Sequence, residues 1–453
     1  LNNLKDISFG FGASYTMNEQ IHKILDAASS STDAAEVYQQ KGQTRSVKFD
    51  NNRLKDAKSK QFNGVGLRVI KDGRVGFAST TDLRNPDQFV MMALDSAEFG
   101  DKARFQFPGT PEDAPSTALS DPATGDTSHR SLIDMGKAAL NMSRQSSDEY
   151  LFSSNLTARR TTTKIINTSG LNHTSTTTLM SGSVEIQETT DEGILQAYEY
   201  KSWRNGFDEL TDITQKALQK MRDGRSVVPL PTNTMPVIFT PKSANILFSP
   251  LTTALNGKIV QKGSSVLENR IGEEVIDPGI SLIDDPSVDF APGSSTTDDE
   301  GLPTCRRPLI RDGVLEAYYN DLQTAGLLDD SPTGNGYRSF SKQPSPSLSN
   351  LIIREGKTDY QDLLNDLDTA LIVDQTLGSG QSNTLAGEFS VNVSLGLLVQ
   401  EGTVKGRLKD IMIAGNVYDV LNDIEALCSD RQWVGSHLFP PVCITGVKIA
   451  SQQ

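Results

Sequence analysis

Thr240–Gly257 reads TPKSANILFSPLTTALNG, and the rest of the chain is organised around it. Thr240 is a good N-cap and Pro241 suits the first helical position, where a missing N–H is no loss. Ile246, Leu247, Leu251, Ala254 and Leu255 follow near-helical spacing, and Asn256-Gly257 is expected to close the helix. Pro250 lies inside it, removes one ladder bond and crowds the carbonyl of Ile246, so a break is expected there. Taken alone, this is a half-buried helix with an interruption.

Outward from this helix the chain divides by composition. Of 453 residues, 36% are hydrophobic and 22% charged, and the formal net charge is −14. A surplus of carboxylates opposes nucleic-acid binding, which rests on Lys and Arg density. No apolar run approaches the ~18 residues that span a bilayer. Cys305, Cys428 and Cys443 are odd in number and widely spaced, which fits a reducing cytoplasm better than a disulfide framework.

Before the helix, Thr16-Met-Asn-Glu19 opens a predicted helix with a capping-box pattern. Ala35–Gln40, Arg45–Asn51 and Arg53–Lys58 read as short strands joined by polar turns. Lys71-Asp72-Gly73 reads as a hairpin turn between Gly64–Ile70 and Arg74–Ser79. Helices are predicted over Pro86–Phe99, Ser131–Arg144 and Asp208–Arg222. The Pro229–Pro236 stretch is read as an extended linker through which few core contacts pass. After it, recurrent glycines predict antiparallel strands, interrupted by helical Tyr360–Asp368 and Tyr418–Leu427. The expected fold is α+β: an N-terminal α/β sandwich-like region, then a large, mostly antiparallel β-rich C-terminal domain. The expected divisions are 1–115, 116–228 and 237–453.

Local chemistry is sparse. His22, His129, His173 and His437 never stand four apart, so each reads as a surface or satisfied structural histidine. Asp298-Asp299-Glu300 reads as a solvated acidic turn rather than a cation site. There is no nucleophile elbow and no phosphate loop.

A set of short motifs in fixed order carries more. Asp298-Asp-Glu-Gly-Leu-Pro-Thr304, Leu309-Ile-Arg-Asp-Gly-Val-Leu315, Asp321-Leu-Gln-Thr-Ala325 and Ser331-Pro-Thr-Gly-Asn-Gly336 come first. Asn350-Leu-Ile-Ile-Arg-Glu-Gly356, Gly387-Glu-Phe-Ser390, Glu401-Gly402 and Ile413-Ala-Gly-Asn416 follow. With Gly64-Val-Gly-Leu-Arg-Val-Ile70 and Asp72-Gly-Arg-Val-Gly76 near the start, the chain resembles the TldD/PmbA family over nearly its whole length. The resemblance implies two kinds of subunit. TldD-like subunits carry a zinc peptidase motif, H-E-x-x-x-H, on a helix, with a cysteine near the C-terminus. TldE (PmbA) subunits lack it and pair with TldD.

On this resemblance the motif helix is Leu247–Thr253, with Phe248 and Thr253 at the histidine positions and Ser249 at the glutamate. Phe has no lone pair for zinc, a Thr hydroxyl is a poor ligand, and Ser249 is no general base. Cys428 is offered as a counterpart of the cysteine ligand, with a spacing that leaves the alignment open. No catalytic residue and no metal are therefore expected in this chain, and zinc is expected in a TldD-like partner. The implied role is the non-catalytic, TldE-like half of a cytoplasmic complex that degrades unfolded peptides. A peptide is expected to add to a strand edge near Gly378, Gly380, Gly387 and Phe389. Two alternatives stay open: a self-assembling peptide-binding protein of the same fold, and a metallopeptidase with non-standard ligands.

Overall fold

The computed structural model describes residues 17–111, 114–378, 383–422 and 424–451. Its first half holds helices α1 (Met17–Ser29), α2 (Pro86–Ala97), α3 (Pro122–Asp126), α4 (His129–Ser146) and α5 (Thr211–Asp223). They pack on six strands: β1 (Ala34–Asp50), β2 (Arg53–Lys71), β3 (Arg74–Thr80), β4 (Leu151–Asn167), β5 (Asn172–Thr190) and β6 (Gly193–Trp203). These form one antiparallel sheet in the order β3-β2-β1-β4-β5-β6. Residues on either side of position 115 thus share a sheet, because β1 pairs with β4 from Glu36↔Asn167 to Phe49↔Ser154.

The strands are longer than their sequence suggests. Ala35–Gln40 and Arg45–Asn51 merge into β1, with Gly42 at mid-strand. A Cβ there would meet the Arg160 carbonyl at 2.4 Å, so Gly42 marks a close approach of β4 rather than a turn. The hairpin at Lys71–Arg74 is as read: Asp72 and Gly73 both have positive φ (51° and 70°), which a two-residue turn of this hand requires. α2 starts on Pro86 with Asn85 capping Gln88, and buries Phe89, Val90, Ala93 and Ala97. β3 covers only Val65–Lys71 of β2, so the stretch Arg53–Gly64 has a single partner strand, β1, among the described residues.

The second half is strand-rich. Its helices are α6 (Asn245–Ala254), α7 (Gly257–Gln261), α8 (Leu322–Leu328), α9 (Tyr360–Asp366) and α10 (Val417–Val420). Its strands begin with β7 (Val237–Phe239), β8 (Leu282–Asp284), β9 (Arg307–Arg311), β10 (Val314–Leu315), β11 (Gly336–Tyr337), β12 (Ser345–Pro346) and β13 (Leu351–Ile353). They continue with β14 (Thr369–Leu377), β15 (Glu388–Gln400), β16 (Thr403–Leu408), β17 (Ile411–Asn416), β18 (Ile424–Leu427), β19 (Gln432–Val434), β20 (His437–Phe439), β21 (Val442–Ile444) and β22 (Lys448–Ser451). One sheet runs β18-β21-β7-β14-β15-β17-β22, with β16 on β15, and another runs β10-β9-β8-β13-β20-β19. Among the described strands β7–β14 and β13–β20 pair in parallel and the others antiparallel, so the fold is α+β and mostly antiparallel. The predicted helix Tyr418–Leu427 is one turn, α10, followed by β18, whose backbone is claimed by β21.

The larger sheet is buried on both faces. Val237, Phe239, Leu371, Val373, Val442 and Ile444 point into a core with α6 and the smaller sheet. Their neighbours Ile238, Ala370, Ile372 and Cys443 point the other way, into a core shared with Leu132, Ile213, Ala217 and Met221 of α4 and α5. This alternation is the period of two of a pleated strand. The Pro229–Pro236 stretch is irregular, with bends at Asn233 and Met235, yet a core does cross it, from Met221 to Ile238.

Two ionic clusters join the halves. Arg68 on β2 bonds Glu36 at 3.1 Å and Glu300 at 2.7 Å, and Arg338 bonds Glu36 at 2.7 Å, all with side chains at most 2% exposed. Lys220 and Lys242 each bond both Glu199 and Asp374, linking α5 and β6 to β14. Burial alone would raise the Asp374 pKa, but Lys242 and Lys220 outweigh it and hold the carboxyl below its usual range. Burial would lower Lys220, but Asp374 and Glu199 outweigh it and raise it.

Two outcomes are expected. Arg68→Met leaves Glu36 and Glu300 buried with a lost partner and should lower stability by about 3–5 kcal/mol. Chemical denaturation checks this, with Arg84→Ala at the exposed Asp82 pair as a control that should not move the midpoint. Asp374, depressed in the fold, contributes stability that is present above an ordinary carboxyl pKa and lost as pH falls through its lower folded value. Lys220, raised in the fold, contributes stability that is lost only as pH rises through its raised value. The gap in urea midpoint between wild type and Asp374→Asn should therefore narrow as pH falls below the usual carboxyl range and close as it passes the lower folded value.

Candidate functional site

The motif helix begins four residues later than its sequence suggests. Thr240–Ala244 form a turn whose Ser243 hydroxyl donates to the Val373 carbonyl on β14 at 2.6 Å, and α6 starts at Asn245. Asn256 is the N-cap of α7, accepting from the Lys258 N–H, rather than the end of α6. Pro250 lies inside α6, as read.

Phe248 is fully buried and its ring centre lies 5.2 Å from that of Phe439. His437 stacks on Phe439, also at 5.2 Å, and burial lowers its pKa, favouring the neutral ring. Thr253 and Thr252 both donate their hydroxyl protons to the Ser249 carbonyl, at 2.8 and 3.0 Å. Cys428 does not face these residues. It belongs with Cys443, Leu363 and Leu364 to the core on the opposite face of the large sheet. Burial pushes its thiol up to about 11 and that of Cys443 to about 12, whereas a zinc ligand must be a thiolate. This set does not fit a zinc ion: one aromatic ring, two hydroxylic side chains and a thiol beyond the sheet. Among the described residues no three His, Cys, Asp or Glu side chains gather in a metal-ligand group.

The acidic triplet overturns its reading as a solvated turn. Asp298 is buried, its Oδ1 accepting from the N–H groups of Glu300 and Leu302 and its Oδ2 from that of Gly336. Asp299 accepts from the Tyr38 hydroxyl at 3.0 Å and the Arg338 N–H at 2.8 Å. Glu300 holds Arg68 and the Leu322 N–H. Burial, the largest influence on each, raises all three carboxyl pKa values. The triplet is a joint between the halves. The histidines stay separate in role: His22 lies on α1, half-buried His129 meets the Lys58 carbonyl at 3.0 Å, and His173 sits on β5 with Nε2 buried and unpaired among the described residues.

Of the glycine-rich positions, Gly380 lies outside the described residues. Gly378 ends the β14 region with φ 86°, and Gly387 has φ 76° just before β15. Phe389 is a core side chain, 4% exposed, so it offers backbone and no side chain to a ligand. Glu388, Ser390 and Asn392 form the outward face of β15. β14 pairs with β15 only from Asn392 onward, so Glu388–Val391 has β17 as its one partner strand among the described residues.

Two cavities carry chemistry that the sequence did not reveal. One, of about 520 Å³, lies between β4–β6 and the loops at 292–299, 347–349 and 435–436, and is lined mainly by hydroxyls, Arg159, His173 and Arg204. The other, of about 610 Å³, has the Lys220–Lys242–Glu199–Asp374 cluster beside apolar Leu364, Ile372, Leu397 and Val404. Their residues come from separated strands, so no local spacing announces them.

Two family profiles match the sequence: PmbA/TldA metallopeptidase C-terminal domain over residues 232–451, and PmbA/TldA metallopeptidase domain 1 over 35–97. The chain is 25% identical over 462 residues to metalloprotease PmbA of Escherichia coli O157:H7, covering 96% of each. It is 24% identical over 412 residues to a metalloprotease of Methanothermobacter thermautotrophicus, covering 85% of this chain and 86% of that one. In fold it is similar to TldE from Thermococcus kodakarensis, with a TM-score of 0.88 at 22% identity over 95% of this chain and 100% of that one.

If Phe248 is core, Phe248→Ala should lower stability by about 3–5 kcal/mol through lost burial and the cavity left behind. Phe248→Leu should cost much less. Denaturant melts of the two variants make the comparison.

Proposed function

Because the chain belongs to the PmbA/TldD metallopeptidase family, we propose that it is a TldE-like, non-catalytic subunit. It pairs with a TldD-like subunit that carries the zinc, in a cytoplasmic complex that processes unfolded peptides. One observation carries this reading: at the motif positions the ligand side chains are replaced by a packed aromatic core, Phe248 against Phe439. A hydrolytic zinc site needs about three donor side chains and an open position for water. This helix offers neither the donors nor the space.

The contribution of this subunit is to wall the chamber and guide peptide. A strand edge near Gly378, Gly387 and Phe389 would suit this, since a strand edge bonds any extended backbone whatever its side chains. The absence of disulfides from Cys305, Cys428 and Cys443 is consistent with a reducing compartment. No helix among the described residues is long and apolar enough to cross a membrane.

The isolated chain should hold no stoichiometric zinc and should not cleave unfolded casein. Cleavage should appear when a TldD-like subunit with an intact motif is added, and chelator should abolish it. Phe248→His alone should not restore activity, because one imidazole does not rebuild three ligands. Metal analysis and a casein digest on both preparations test this. Zinc with chelator-sensitive cleavage by the lone chain would overturn it. A stable homo-oligomer that binds peptide and ignores TldD would favour self-assembly instead.

A further inference from the structure

The 520 Å³ cavity has a charge without a counter-charge. Arg204 follows directly on β6 and is 9% exposed. Its Nε donates to the Ala291 carbonyl at 2.8 Å, and its Nη2 to the carbonyls of Pro292 and Ser294 at 2.8 and 2.9 Å. These three bonds fix the plane of the guanidinium. Nη1 has no hydrogen-bond partner among the described residues, and no carboxylate pairs with Arg204. Burial lowers its pKa to about 10, the mark of a cation held without an anion. A buried, unpaired charge is among the costliest groups a fold can hold.

Other groups in the cavity share this condition. His173 Nε2 and Ser202 Oγ are buried and have no hydrogen-bond partner among the described residues. Arg159, exposed on β4, spends Nε on the Thr161 hydroxyl at 3.0 Å and has no acidic partner. The two carboxyls in the wall do not supply the missing anion. Asp298 is saturated by three backbone N–H groups, and Asp299 by the Tyr38 hydroxyl and the Arg338 N–H.

We propose that this cavity is an oxyanion-binding site, with Arg204 as the anchor and Arg159 as the second cation. Arg204 presents Nη1, whose two N–H donors are held in a plane fixed by the three carbonyl bonds, as a charge-assisted donor for carboxylate or phosphate oxygens. The cavity is of the size that holds a small organic molecule. The ligand class is therefore a small molecule or chain end bearing one carboxylate or phosphate. This goes beyond the partner reading, and its test reads no cleavage, so either can fail alone.

Calorimetry on the full chain, with N-acetyl-trialanine acid, the matching amide and inorganic phosphate, tests it. The acid or phosphate should bind at one per chain and the amide should not. Binding of the acid alone identifies a chain-terminal carboxylate, and binding of phosphate alone a phosphate group. Arg204→Gln should weaken the bound anion by about tenfold or more, and Arg159→Gln by less. If Arg204→Gln does not fold by circular dichroism, Arg204→Lys, which keeps the charge and loses the preoriented Nη1, replaces it. Absence of binding at millimolar anion, equal binding of acid and amide, or affinity unchanged in both arginine variants would overturn the proposal.

Discussion

The pairing of Glu36, Arg68, Glu300 and Arg338 constrains the rest of the molecule. Two carboxylates and two guanidiniums lie in a dry seam, where each is tolerable only while the others are in place. Arg68 is further enclosed by the rings of Phe105 and Phe107, at 4.8 and 5.0 Å, and Arg338 lies 4.3 Å from the centre of the Tyr38 ring. Separating the first sheet from the second half would strip Glu300 and Arg338 of their partners and leave Glu36 and Arg68 only each other. The halves consequently behave as one body, and the cavities between them have fixed walls. The Lys220–Lys242–Glu199–Asp374 cluster repeats the arrangement at another point of the seam.

The motif helix shows what such a framework does with a vacated site. An open metal position in a protein interior is polar and needs donors, water and room. Here Phe248 fills that volume with a ring that packs on Phe439, while the two threonines turn inward on the Ser249 carbonyl. The helix keeps its place in the fold through Ser243 and β14. Position and chemistry are thus separable, and only the first is retained.

Legibility in the sequence followed distance along the chain. Lys71-Asp72-Gly73, the α2 face and Pro250 depend on neighbours within a few residues, and each was readable. The motif order gave the family and with it the α+β class. Asp298-Asp299-Glu300 misled, because the groups that bury it, Tyr38 and Arg68, lie more than 230 residues away. Gly42 read as a turn for a similar reason, since the carbonyl that requires it belongs to β4. Cys428 looked like a ligand from its position near the end, but strand alternation sends it to the far face of the sheet. Arg204 carries no signal at all: its neighbours in sequence say nothing of the loop at 291–294 that holds it.

The single-partner stretch of β2, Arg53–Gly64, bears on how the chain is made. β1 and β2 form a hairpin as soon as both have left the ribosome, but the strand that covers the other side of β1 ends only at Asn167. At ordinary synthesis rates that wait lasts roughly 5–20 s, during which the inner edge of the hairpin is bare and the outer one is covered by β3 only over Val65–Lys71. Lys55, Lys58 and Lys60 stud the outer one. Repelling charges on an edge are a known bar to pairing with a second chain. Their service is thus not ended by β4, which covers the free side of β1: the Arg53–Gly64 edge turns its lysines toward other copies in the nascent and the finished protein alike.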